Sequence, residues 1–240
     1  MPPPGLFGRL IQNKRRLLWE KREGVDATLI VADVKFGVHS MILGAESPIL
    51  QSRFQASLRK SGLREIIIEE ADIHTVWRTL MLIYLGYYST SPCPKVATSD
   101  EANELALHGS VYNLAVSWGL PNNLQEIIFQ NYKNTVENTW QPLAFLESVN
   151  IIFSLLGESG TVHGHGMSII TSDWLDPDRL REDRIAQLVV QQLETRREAF
   201  EDDSSITLCR SLQNSLVLLR LFLQRWLVSP AQAPKCTCQA

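Results

Sequence analysis

Two short, mainly apolar segments near the N-terminus predict two β-strands, each of which can place alternate residues on one face. The segments are residues 28–31 and 35–38, joined in a hairpin at 32–34. A third strand is predicted at 65–69, where the run of isoleucines indicates extensive burial. Four residues of the first two strands are expected to face a core: Leu29, Val31, Phe36 and Val38.

Helical spacing of apolar residues predicts structure in most of the remaining chain. A short helical turn is expected at 41–45, and Ser47 followed by Pro48 is typical of a capped helix start. Asp72 is expected to cap a later helix and Gly86 to end it. The predicted helices from Pro48 onwards span 48–60, 73–85, 105–118, 124–139, 142–156, 178–193 and 206–228.

This order of elements predicts an α+β fold. We expect a small three-stranded sheet capped by a helical cluster, and then an all-α extension. The predicted limits are a basic N-terminal helix over 1–23, the α+β domain over 24–139, the helical extension over 140–229 and a flexible tail over 230–240.

The N-terminal helix combines an imperfect apolar stripe with six basic residues. Leu10, Ile11 and Leu17 of that stripe are candidate partner-binding residues. A mitochondrial presequence is disfavoured by Glu20 and Glu23, and the basic run at 14–16 is too short for more than a weak nuclear signal. A solvated basic face on a docking helix is the favoured interpretation. Such a helix could dock on its own chain, swap to a second chain or stay loose.

Composition excludes several classes of partner. A net charge of -3 exerts no general attraction on nucleic acid or anionic membrane. The most apolar late stretch, 216–228, is interrupted by polar residues and is too short to span a bilayer. The four cysteines have no disulfide-framework spacing, and no signal peptide or glycosylation sequon is apparent. We therefore expect an intracellular protein, cytoplasmic or nuclear, with no nucleic-acid or membrane partner.

No constellation of residues predicts catalysis. The glycine-rich segment 157–166 lacks the Gly-Lys-Ser/Thr of a phosphate loop. His163 and His165 lack a third metal ligand, and Cys236 and Cys238 supply only two of the four that zinc takes. We therefore expect no cofactor, no metal and no enzyme activity.

The element order and a series of spaced residues resemble the BTB/POZ domain over roughly 24–138. The first half of the resemblance rests on Asp26, Asp33, Phe36, Val38, His39, Leu43, Ala45, Ser47 and Phe54. The second half rests on Leu80, Ile83, Tyr84, Gly86, Tyr88 and the segment 114–121. The chain is also similar to stand-alone BTB proteins of filamentous fungi, which carry one such domain and a helical tail. The resemblance implies a protein–protein interaction module.

Within that family resemblance, six residues are expected to be structural: Asp26, His39, Ser47, Phe54, Tyr84 and Gly86. The resemblance implies that the ring of His39 is packed and hydrogen-bonded at the strand–helix junction. His39 is not expected to act in catalysis, because no cysteine or serine nucleophile is placed to use it. Asp26 is expected to bind backbone amides of the same junction.

Two positions depart from the pattern of particular BTB classes. Zinc-finger transcription factors of the family pair the early aspartate with a cation just after the histidine. Ser40 occupies that position here, so Asp26 is predicted to lack an ion pair. Cullin adaptors often carry an apolar residue, any residue and then glutamate after the second helix; here the sequence is Leu58-Arg59-Lys60. Lys60 therefore makes cullin binding less expected than in other family members, although Leu58 and Tyr112 still favour it.

Two functions follow from the resemblance. The first is an adaptor or scaffold that forms a homodimer, or a heterodimer with another BTB protein. The alternative is a substrate-receptor subunit of a cullin-type ubiquitin ligase, with the helical extension recruiting the substrate.

Overall fold

In this computed structural model, the described residues are 6–97, 103–154 and 184–196. They fall into two units, one up to Trp140 and one from Gln141 onwards. The predictions for 157–166, 206–228 and 230–240 lie outside the described residues, as do His163, His165, Cys236 and Cys238.

The described residues of the first unit form three strands and six helices. Its elements are α1 (Leu6–Lys21), β1 (Ala27–Val31), β2 (Val34–Val38), α2 (Ser40–Glu46), α3 (Pro48–Ser61), β3 (Glu65–Ile68), α4 (Ile73–Leu85), α5 (Glu104–Ser117) and α6 (Asn122–Asn138). The second unit contributes α7 (Pro142–Ser154) and α8 (Arg184–Thr195).

The three strands form one sheet in the order β2-β1-β3. β1 pairs antiparallel with β2 and parallel with β3. The hairpin turn at Ala32-Asp33 places Ala32 in the left-handed region, with a φ of 49°. The predicted strands and hairpin are confirmed. The predicted burial of the third strand is wrong for Ile67, because only Ile66 and Ile68 face the core while Ile67 points outward.

Helix α4 is the centre of the first unit. It contacts α1, α2 and α5, and most of its residues are buried. The inner face of the sheet shares one hydrophobic core with it, formed by Leu29, Val31, Phe36, Val38, Ile66, Ile68, Val76, Leu80, Ile83 and Tyr84. Burying each large apolar side chain contributes about 1.5–3 kcal/mol, so this core holds the sheet and the helices together.

The residues predicted to cap helices make capping hydrogen bonds in the structure. Ser47 Oγ accepts from the backbone N–H of Leu50 at 3.0 Å and donates to the Trp118 carbonyl. Asp72 Oδ1 accepts from the N–H groups of His74 and Thr75 at 2.8 and 2.9 Å. These bonds satisfy helix N–H groups that have no partner within the helix.

Arginine and lysine side chains donate hydrogen bonds to backbone carbonyls of both edge strands of the sheet. On β2, Arg22 donates to the Gly37 carbonyl at 3.2 Å and Lys95 to the Lys35 carbonyl at 2.7 Å. On β3, Arg53 donates to the Ile67 carbonyl at 2.8 Å. Such contacts occupy carbonyl groups that would otherwise be open to another strand.

The second unit is helical in its described part, which confirms the all-α extension. Both helices bury apolar residues at helical spacing: Phe145, Leu146, Val149 and Ile152 on α7, and Ile185, Leu188 and Val189 on α8.

Candidate protein-interaction site

His39 joins the end of β2, the start of α2 and the core helix α4. Its Nε2 lies 2.8 Å from the Glu23 carbonyl, which can only accept, so Nε2 carries the proton. Its Nδ1 then accepts from the Tyr84 hydroxyl at 2.9 Å, and that hydroxyl oxygen accepts from the His39 backbone N–H at 2.8 Å. Burial raises the pKa of Tyr84 to about 12. Both ring nitrogens of His39 therefore serve to fix the junction.

Asp26 is paired, contrary to the prediction from Ser40. Its Oδ1 accepts from the Ser40 backbone N–H at 2.7 Å, and its Oδ2 accepts from the Ser40 hydroxyl at 2.7 Å. Arg64, just before β3, supplies the missing cation at 3.1 Å. Partial burial acts to raise the pKa of Asp26, but the bonds from Ser40 and the charge of Arg64 outweigh it and hold that pKa below its usual value.

The inner side of α1 is bonded to its own chain. Gln12 Nε2 donates to the Leu85 carbonyl at 2.9 Å, at the end of α4. Arg15 forms an ion pair with Glu46 at 2.6 Å. The Trp19 ring lies 4.7 Å from Trp77 and 5.2 Å from Tyr84, between centroids. In the structure, α1 therefore docks on its own chain; it is neither swapped to a second chain nor loose.

The outer side of this region carries exposed apolar residues. On α1, Ile11 and Leu17 are exposed, Leu17 by 52%. Val25 is exposed between α1 and β1, and Met41, at the start of α2, is 83% exposed. Leu10 lies within α1, but its side chain is outside the described part of the chain. The exposed residues Ile11, Leu17, Val25 and Met41 are called the α1 surface below.

A second exposed region lies where α3 leads into β3. Leu58 is 38% exposed, and Lys60 and Leu63 are exposed beside it in the chain. Ser57 Oγ donates to the Leu63 carbonyl at 3.0 Å, which fixes the turn that presents Leu63. Tyr112 is half-buried on α5 and packs against the core. Sequence reasoning missed Leu63, whose only signal is an isolated leucine between Gly62 and Arg64.

The other residues expected to be structural are also placed inside the first unit. Ser47 and Phe54 are buried, and Gly86 ends α4 with a φ of 73°.

Among the described residues, no cluster of histidine, cysteine, aspartate and glutamate could hold a metal ion. None of the helices in the described ranges is both long and apolar enough to cross a bilayer.

The sequence model of the BTB/POZ domain family matches residues 16–115. The chain contains a BTB/POZ domain. This match takes in the end of α1, the whole sheet and the helices as far as α5, and so includes most of the α1 surface and the α3–β3 junction. A BTB domain is a protein–protein interaction module, and this is the functional class of the chain.

Solved structures include similar domains. The BTB (Tramtrack and Bric a brac) domain of human gigaxonin matches at 18% identity with a TM-score of 0.38. The match covers 54% of this chain and 95% of that one. No curated protein matches the chain.

Proposed function

We propose that this protein is a dimerising adaptor, which pairs through its BTB domain with a second copy or with another BTB protein. One observation carries the proposal: Ile11, Leu17, Val25 and Met41 are all exposed, while α1, which carries two of them, is bonded to its own chain through Gln12 and Arg15. Large apolar residues left exposed are candidates for burial in an interaction surface. The helical extension would then present a second surface to a further partner.

The chemistry of the α1 surface suits such pairing. Burying Leu17 and Met41 against a partner would contribute about 1.5–3 kcal/mol for each side chain. In a two-fold dimer each contact occurs twice, so a small apolar surface has a doubled effect. Exposed lysines at Lys14 and Lys21 border Leu17 along α1 and would form the polar rim of the interface.

Light scattering of the full chain across a broad concentration range tests this proposal. We expect the mass of two chains of 27.1 kDa each for the homodimer. A monomer at every concentration, together with no association with another BTB protein, would contradict the proposal.

We also propose the domain limits 24–139 for the BTB domain and 140–229 for the extension, with the chain working in a reducing intracellular compartment. Cys93 is a free, buried thiol, which suits such a compartment. Limited proteolysis should release fragments that end near residue 140. Cleavage first within α4 or α5 would count against these limits.

A cullin ubiquitin ligase subunit is the second candidate function. It is favoured by the exposed pair Leu58 and Leu63 at the α3–β3 junction. Lys60 opposes it, because a cation stands where an acid is expected. Direct cullin binding that is lost in Leu58→Asp and strengthened in Lys60→Glu would support this function. If neither the wild-type chain nor Lys60→Glu binds a cullin, this candidate is excluded.

A further inference from the structure

A groove of about 510 Å³ opens where β1 and β3 end and α4 begins. Its apolar lining comprises Val31, Ala32, Ile67, Ile68, Ala71 and Ile73. Glu69 and Asp72 complete the lining. The groove is remote from the α1 surface along the sheet: Val25 precedes β1, whereas Val31 ends it, and a strand of five residues spans about 16 Å.

Ile67 is the unusual residue of this groove. Its side chain is 61% exposed, although it lies in a strand paired parallel with β1. It faces outward beside Ile30, its partner in the ladder, which is only half-buried. An exposed isoleucine that lines an apolar groove is a candidate contact for another polypeptide.

Both charged residues that line the groove, Glu69 and Asp72, are acidic. Segment 65–72 contains Glu65, Glu69, Glu70 and Asp72 and no lysine or arginine. Arg53 lies beside the groove, where it donates to the Ile67 carbonyl at 2.8 Å, but its charge is compensated by Glu70 at 2.7 Å. Asp72 is held in place by its bonds to the start of α4, so its charge is fixed at the rim. An apolar floor with an acidic rim is complementary to apolar side chains flanked by cations.

We propose that this groove docks a short segment of a partner protein, in which apolar side chains are flanked by lysine or arginine. The apolar side chains would cover Ile67 and its neighbours, and the cations would lie near Glu69 and Asp72. This surface is separate from the α1 surface, so a partner could bind while the BTB domain is paired.

A random peptide library displayed on phage, selected against the full-length chain, tests the proposal. Selected peptides should combine an apolar core with net positive charge. Binding of a selected peptide, measured by fluorescence anisotropy, should weaken about tenfold when salt is raised from low to high concentration. Enrichment of acidic or uncharged peptides, or no enrichment, would overturn the proposal.

Two variants locate the binding. Ile67→Lys removes the apolar contact and reverses the local charge, and it should reduce peptide affinity at least tenfold. Glu69→Gln changes charge alone and should cause a smaller loss. Leu143→Lys on α7 is the matched control, because Leu143 is also 61% exposed. If Leu143→Lys weakens binding as much as Ile67→Lys does, or if both groove variants bind normally, the groove is not the site.

Discussion

Helices α4 and α1 lie against each other but are held in different ways. α4 is buried on most sides, including the charged group of Arg78, which donates to the Thr90 carbonyl at 2.7 Å. α1 is attached along one side by a few specific contacts and exposes the other. The buried helix α4 stabilises the domain. In the proposed function, the exposed side of α1 contacts a partner while its inner side stays attached to the domain.

We expect the largest effect on stability from a substitution in the buried helix α4. Leu80→Ala on α4 removes a fully buried side chain and should lower the free energy of unfolding by about 3 kcal/mol. Urea denaturation followed by far-UV circular dichroism measures this change. Leu143→Ala on α7 is the exposed control and should change stability by less than about 1 kcal/mol. Similar losses in the two variants would contradict the central role of α4.

Acid should weaken the core through His108, which is buried on α5. Burial, together with the charge of Arg78, lowers the pKa of His108 to about 4. Its ring contacts the Tyr88 hydroxyl at 2.8 Å and the Thr135 hydroxyl at 3.2 Å, with Glu104 at 3.9 Å. Because the unfolded chain takes up this proton near pH 6.5, the contribution is complete above that pH and is lost as the pH falls towards 4.

The expected loss is about 1.4 kcal/mol per pH unit within this window, or about 3 kcal/mol in all. Urea unfolding at several pH values, with His108→Gln beside the wild type, measures it. The variant should show a flatter pH dependence between pH 6.5 and 4. Parallel curves for the two proteins would show that His108 does not carry the effect.

A smaller effect is expected where α1 meets the end of α4. Gly86 has a φ of 73°, and a Cβ there would lie 2.7 Å from Gln12 Nε2. Gly86→Ala should therefore cost about 1–2 kcal/mol and loosen α1. Hydrogen exchange of the α1 amides should increase more than that of the α4 amides. Gly62→Ala is a useful control, since its φ is the same and no atom lies within 4 Å of the added Cβ.

The smallest expected effect belongs to the ion pair of Arg15 and Glu46. Both side chains are partly exposed, so a double-mutant cycle with Arg15→Gln and Glu46→Gln should give a coupling of about 0.5–1 kcal/mol. The coupling should shrink as salt is added. A coupling of zero at low salt would mean that the aromatic contacts of Trp19 and the cap from Gln12 hold α1 without it.

Local signals predicted much of this fold, whereas long-range pairing was out of reach. Ser47, Asp72 and Gly86 determine helix ends through bonds to near neighbours, so their sequence context was sufficient. The bond from Arg64 to Asp26 joins residues 38 positions apart, and nothing in the local sequence indicates it. The exposure of Ile67 was equally hidden, because a run of three isoleucines does not reveal which face of a strand is covered.

The dissociation constant of the proposed dimer, measured by sedimentation equilibrium, tests the central claim most directly. Leu17→Asp combined with Met41→Asp places charges on the α1 surface, where both side chains are exposed and folding should be unaffected. The double variant removes four apolar side chains from the dimer interface, two in each chain, and at about 1.5 kcal/mol each this loss of about 6 kcal/mol should weaken the dimer about 10,000-fold or more. The control Leu143→Asp should leave the constant unchanged. A wild-type dimer that persists with the same constant in the double variant would contradict the account.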